Sequence, residues 1–150
     1  MYVRIRKHPN GRIDLSAVKS EWTSKGPRQR IVGHLCSFHE WEAATGYRPH
    51  PGKAWWASGY NVWSLEPTAK EGTKDYREQE RIYLAAHLAK GVKIRTERLS
   101  ELRSRVERVL QEWPWAKELD AAARSALLTQ TDDILVRYWE KPIIPWHEYA

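Results

Sequence analysis

Two turn signatures divide the first third of the chain into three alternating runs, and this constrains the fold more than any other feature. From Tyr2 to Lys7, Val3 and Ile5 fall on one side of an extended chain, and Tyr2, Arg4 and Arg6 on the other. Pro9-Asn10-Gly11 follows, where Asn and Gly tolerate the positive φ of a tight hairpin. Ile13, Leu15 and Ala17 then alternate with Asp14, Ser16 and Val18, and Thr23-Ser24-Lys25-Gly26-Pro27 is a second turn. Gln29 to Leu35 reads as a third strand, with Ile31, Gly33 and Leu35 set against Arg30, Val32 and His34. Alternation broken by short turns predicts a three-stranded antiparallel meander. Such a sheet needs cover on its apolar face.

The cover is expected from the second half. Leu99, Leu102, Val106, Val109 and Leu110 recur at three- and four-residue spacing, which predicts a helix over 97–113 capped by Thr96. Glu101 with Arg105, Arg103 with Glu107, and Arg108 with Glu112 are candidate ion pairs one turn apart. An earlier helix is predicted over 74–90, capped by Thr73 and closed by Gly91, with Tyr76, Ile82, Tyr83, Ala86 and Leu88 on its buried side. Pro114 breaks the pattern. A helix is expected over 115–128, and another from Thr131 or Asp132 that carries Ile134, Leu135, Tyr138 and Trp139 and stops at Pro142. Ser37-Phe38-His39-Glu40 has the form of a capping box opening a short helix to Thr45, ended by Gly46. Residues 47–53, rich in Pro and Gly, read as irregular. The tail from Ile143 to Tyr149 either packs back or offers a docking peptide. The expected fold class is α+β, an N-terminal three-stranded antiparallel sheet packed against a C-terminal helical half. It is read as a single compact domain over 1–150, with sublobes at 1–36, 37–72 and 73–150.

The charge is concentrated at one end. The chain of 150 residues carries a formal charge of +6, and residues 1–36 alone hold eight Lys or Arg against two acids. A polyanion responds to a local field of this kind, and binding to it weakens as salt rises. Arg4, Arg6, Lys19, Lys25, Arg28 and Arg30 are the candidate phosphate contacts, with Arg4 and Arg6 on one face and Lys25 and Arg28 at the second turn. The competing reading is a solvated sheet face that needs the same residues for solubility.

The stretch YVRIRKHPNGRIDLSAVKSEWTSKGPRQRIVGHL resembles the opening of some insertion-sequence transposases. The matching residues are Val3, Arg4, Gly26, Arg28, Gln29, Arg30, Val32 and Leu35. The resemblance covers about the first 35 residues. It implies DNA association and a link to mobile elements or phage, without the nuclease domain that follows this region in those enzymes.

Nine Trp and one Phe are an unusual ratio. A Trp must place its indole N–H somewhere polar, so several are expected near the surface. Trp55, Trp56, Tyr60, Trp63 and Trp146 are candidates for stacking on bases or for a protein partner. A structural plug between sheet and helices is the plainer reading of that segment. His34, Cys36, His39 and His50 are the densest metal-like set, yet their spacing matches no common zinc pattern. Phosphate-loop and His-Glu-x-x-His motifs are missing from the sequence. The expected function is therefore a small non-catalytic accessory protein that binds nucleic acid, duplex DNA above all, with no cofactor and no metal. The alternative is a protein-binding subunit or inhibitor of a nucleic-acid-processing complex, and a metal-dependent or Cys-based enzyme is a third reading. One cysteine and no apolar leader point to a reducing, cytoplasmic setting without a membrane partner.

Overall fold

Strand β1 (Tyr2–Lys7), β2 (Arg12–Thr23) and β3 (Gly26–His39) form an antiparallel sheet in the order β1-β2-β3. The computed structural model describes residues 1–50, 53–58 and 74–145. The first turn follows its sequence chemistry. Gly11 sits at φ 90°, and the Asn10 side chain accepts from Arg12 N at 3.0 Å. At the second turn Gly26 sits at φ 101°, and Thr23 Oγ1 donates to Gly26 O at 2.8 Å.

β3 is longer than its alternation suggests, because two register shifts interrupt it. Leu15 pairs with Cys36 but Ser16 with His34, and Ala17 pairs with Gly33 but Val18 with Ile31. Leu35 and Val32 are the extra residues of these bulges. Each bulge moves the following side chains to the other face. Ile31 therefore does not share a face with Gly33, as strict alternation implies, and is exposed. Gly33 lies under the Trp115 indole, where a Cβ would fall within 2.1 Å of the ring.

The helices are fewer and longer than the sequence suggests. After α1 (Glu40–Thr45) and a two-stranded antiparallel ribbon, β4 (Arg48–His50) with β5 (Lys53–Ser58), α2 runs unbroken from Lys74 to Glu112. Gly91 does not close it, and Thr96 does not cap a second helix but returns its hydroxyl to Val92 O at 3.0 Å. The segment expected to be irregular contains β4, where Pro49 is tolerated because a two-stranded ribbon consists only of edges. Ser37 is a strand residue, so the expected capping box is not formed and α1 starts at Glu40. α3 (Pro114–Lys117) follows the predicted break, and α4 runs from Ala121 to Trp139. Asp120 caps α4 by accepting from Ala123 N at 2.7 Å. Thr131, expected to open a last helix, is buried within α4 and donates to Leu127 O at 2.8 Å. That bond satisfies the hydroxyl inside the helix, so no break is needed.

The chain forms two compact units. The first takes Met1–Glu40 and Leu99–Glu140. Its core joins Ile13, Leu15, Ala17, Val18, Leu35, Cys36 and Phe38 of the sheet to Leu102, Val106, Val109 and Leu110 of α2 and Leu127, Ile134 and Leu135 of α4. Val18 is buried although it lies on the outer side of β2. Arg103 ties α2 to α4 through Asp132 at 2.6 Å rather than meeting Glu107, and Arg105 lies over the Trp113 ring, 5.9 Å from its centre. Arg108 and Glu112 do not form the expected ion pair.

The second unit takes its described residues from Trp41–Arg98 and from Lys141 onward. Its buried residues include Trp41, Ala43, Tyr47 and His87. Tyr47 donates its hydroxyl to His87 O at 2.8 Å, and Arg98 meets Glu42 at 2.9 Å. The start of the tail packs back here, with Ile144 N donating to Ala44 O at 2.8 Å, and the rest of it from residue 146 lies outside the described residues. Ile82, Ala86 and Leu88 are exposed, against expectation. The side of α2 that faces α1 and Tyr47 is instead that of His87 and Gly91. Tyr76 and Tyr83 lie outside the described side chains. No helix among the described residues is long and apolar enough to cross a membrane.

Candidate nucleic-acid interface

β1 pairs with β2 only as far as Val18, opposite Tyr2. Beyond it, Lys19–Thr23 and Gly26–Arg30 continue as a two-stranded ribbon. Ser20, Trp22 to Lys25 and Pro27 to Ile31 are all exposed. The pairing register assigns each side chain a face, because directly opposed residues of an antiparallel pair point the same way.

One face carries charge. Lys19 opposes Arg30 and Glu21 opposes Arg28. Glu21 lies 3.2 Å from both Lys19 Nζ and Arg30 Nη1. Hydrogen bonds from Lys19 and Arg30 lower the Glu21 pKa. These two cations are therefore partly neutralised within the ribbon. The other face holds Trp22 opposite Pro27, Ser20 opposite Gln29, and Val18 opposite Ile31. Trp22 is 84% exposed and Ile31 56%.

Arg4 and Arg6 oppose Ser16 and Asp14, which alternate with the buried Leu15. They stand on the outer side of the sheet, the side of Trp22 rather than that of Lys19, Arg28 and Arg30. The six candidate cations thus do not gather on one face. They divide into Arg4 and Arg6 on one side, Lys19, Arg28 and Arg30 on the other, and Lys25 at the turn. Among the described residues Arg4, Arg6, Lys25 and Arg28 meet no carboxylate.

Sequence reasoning missed Trp22. The signal was present, since Trp22 continues the two-residue period of Ser16, Val18 and Ser20 on the side of the strand away from Ile13, Leu15 and Ala17, beside the second turn. The side chains of Trp55 and Trp56 in β5 lie outside the described ones, and Tyr60, Trp63 and Trp146 lie outside the described residues.

A polar cluster closes the other end of the outer face. Asp14 accepts from Ser37 Oγ at 2.5 Å and from Arg12 Nε at 3.1 Å, and its second oxygen lies 2.6 Å from His8 Nε2. His34 Nε2 lies 2.8 Å from Ser37 Oγ. Partial burial pushes the Asp14 carboxyl up, but hydrogen bonds from Ser37 and His8 with the charge of Arg12 outweigh it and hold the pKa at about 2. The order of this chain matters. Ser37 gives its proton to the carboxylate, whereas nucleophilic activation needs an imidazole between hydroxyl and carboxylate. The cluster ties β2 to β3 and the first turn.

The candidate metal residues are separated. Strand alternation would place His34 and Cys36 on one side, but the bulge at Leu35 intervenes. Cys36 is turned into the core and His34 out to Ser37. His39 instead lies over Gly11, with Nε2 2.5 Å from Asn10 O. The His50 side chain is outside the described ones. No group of three or more His, Cys, Asp or Glu among the described residues is placed to hold a metal ion.

No family model matches the chain, and neither the curated proteins nor the solved structures contain a match to it, so fold and surface chemistry carry the functional reading.

Proposed function

We propose that this protein is a small non-catalytic nucleic-acid-binding protein, whose first contacts are made to phosphates by the exposed cations of the N-terminal sheet and ribbon. The observation that supports this most is the set of exposed cations Arg4, Arg6, Lys25 and Arg28, none of which meets a carboxylate among the described residues. Among the other surface arginines of this unit, Arg12 is engaged by Asp14 and Arg103 by Asp132. Cations without a partner are the ones that release counterions when they meet phosphate. The likeness of residues 1–35 to transposase N-terminal strands points the same way.

Anisotropy titration of labelled DNA and RNA at several salt concentrations tests the reading. Reversing Arg4 and Arg6 to Glu, or Lys25 and Arg28 to Glu, is expected to weaken binding by tenfold or more at low salt. The slope of log K against log salt should flatten by about 0.7 to 0.9 for each phosphate that is no longer neutralised. Lys19→Glu with Arg30→Glu is expected to weaken binding as well, but by less, because Glu21 already neutralises part of that charge. Binding that is unchanged after the Arg4/Arg6 and Lys25/Arg28 reversals would overturn the reading.

A further inference from the structure

We infer that the outer face of the sheet binds single-stranded nucleic acid in preference to duplex, with Trp22 as the platform on which an unpaired base stacks. This rests on the phosphate-binding reading above and names its partner.

The argument starts from a cost. A Trp indole is a large apolar surface, and leaving it in water forgoes burial that stabilises most such residues. Trp22 is 84% exposed at the end of a ribbon, where it contributes little to the core. Its cross-strand partner is Pro27, and Ile31 stands exposed on the same face. The ring therefore has one apolar neighbour across the ribbon and most of its surface open to solvent.

Charge complementarity selects the occupant. Arg4 and Arg6 stand on this same side of β2 and meet no carboxylate among the described residues, and Lys25 lies at the turn that ends the ribbon, three residues from Trp22, while Arg28 stands on the opposite face. Trp22 is six residues along β2 from Ser16, the partner of Arg4, which is about 20 Å of strand. A track of that length, with cations at both ends and an indole at one, fits several nucleotides of a flexible polyanion. An apolar protein partner would match Trp22 and Ile31 but would leave Arg4, Arg6 and Lys25 without counter-charge.

The stacking requirement separates single strands from duplex. In a duplex the π-faces are already occupied by neighbouring bases, and a protein meets only their edges in the grooves. A single strand offers each base face freely, and sheet-based single-strand binders pair aromatic platforms with basic tracks.

The test uses the full chain with labelled single-stranded DNA of about 12 nucleotides, RNA of the same sequence, and the matching duplex, at several salt concentrations. Single strands are expected to bind about tenfold or more tightly than duplex. Trp22→Ala should weaken single-strand binding by about 5- to 150-fold, the range stacking of one base supplies. The salt slope should stay as in the native protein, because every phosphate-binding cation is retained. Trp22→Phe should keep most of the affinity. An unchanged thermal melting curve confirms that these exposed-site variants fold. Equal affinity for duplex and single strand, or native affinity in Trp22→Ala, overturns the inference while leaving the phosphate reading in place. Native affinity after reversal of Arg4, Arg6, Lys25 and Arg28, or binding to none of the three nucleic acids, overturns the reading on which it rests.

Discussion

Asp14 shows how much one residue of the solvent face can hold together. Its carboxylate gathers Ser37, Arg12 and His8 from two strands and a turn. The unfolded chain returns the group to a pKa near 3.8, whereas the folded environment holds it at about 2. A depressed pKa means that the ionised form favours the native state. The stabilisation is complete above pH 4 or so and is lost as pH falls through about 2. The side chain is 17% exposed, so water screens part of the effect and about 1–2 kcal/mol is expected. Urea midpoints measured across that range should fall with acidification in the native protein. Asp14→Asn should be less stable at neutral pH, and its midpoint should vary less below pH 4. At this scale the sequence was partly legible. The turn residues Asn10 and Gly11 and the alternation around Leu15 announced themselves. The exposure of Trp22 and the bonding of Ser37 to Asp14 depend on strand length and register, which alternation alone does not set.

Among the elements, α2 departs furthest from expectation, and Gly91 is the reason. Glycine after an apolar run reads as a helix end, because most such glycines adopt positive φ. Gly91 is instead inside the helix, and Gly46, at φ 86°, is the residue that follows α1 in the left-handed region. The two glycines meet: a Cβ on Gly91 would come within 2.5 Å of Thr45 O, and one on Gly46 within 2.0 Å of Gly91 O. Backbone packs on backbone there, and only the absence of a side chain allows it. Two effects oppose one another in Gly91→Ala. Helix propensity favours Ala by about 1 kcal/mol, whereas overpacking against a carbonyl that cannot rotate away costs typically 1–3 kcal/mol. The clash is with main chain, so a net loss is expected, seen as a lower melting temperature and faster amide exchange at residues 44–47. A melting temperature equal to or above that of the native chain would show that α1 moves aside without cost. The apolar stripe of Leu102, Val106, Val109 and Leu110 was readable because its period is regular. Close glycine packing leaves no period to read.

For the molecule as a whole, sequence order and spatial grouping differ. The basic N-terminal quarter does not stand as a lobe of its own. It shares one core with α4 and the later turns of α2, so residues 1–40 and 99–140 fold as one unit. Composition located the charge in that quarter, but the bulges of β3 and the alternation of β2 decided which cations share a side. The α+β class was legible in full, since it needs only periods of two and of about 3.6.

Cys36 lies in that shared interior, 2% exposed, opposite Leu15. A reagent that attacks thiolates can reach its sulfur only when strand and helices part company. The rate of modification in buffer is therefore a clock for that event. A domain of ordinary stability should slow labelling by some thousandfold or more relative to a short peptide, and urea should restore the peptide rate in step with the loss of circular dichroism. Labelling at the peptide rate without denaturant would mean that the two ends of the chain separate readily. Nature has placed one sulfur where it keeps time for both.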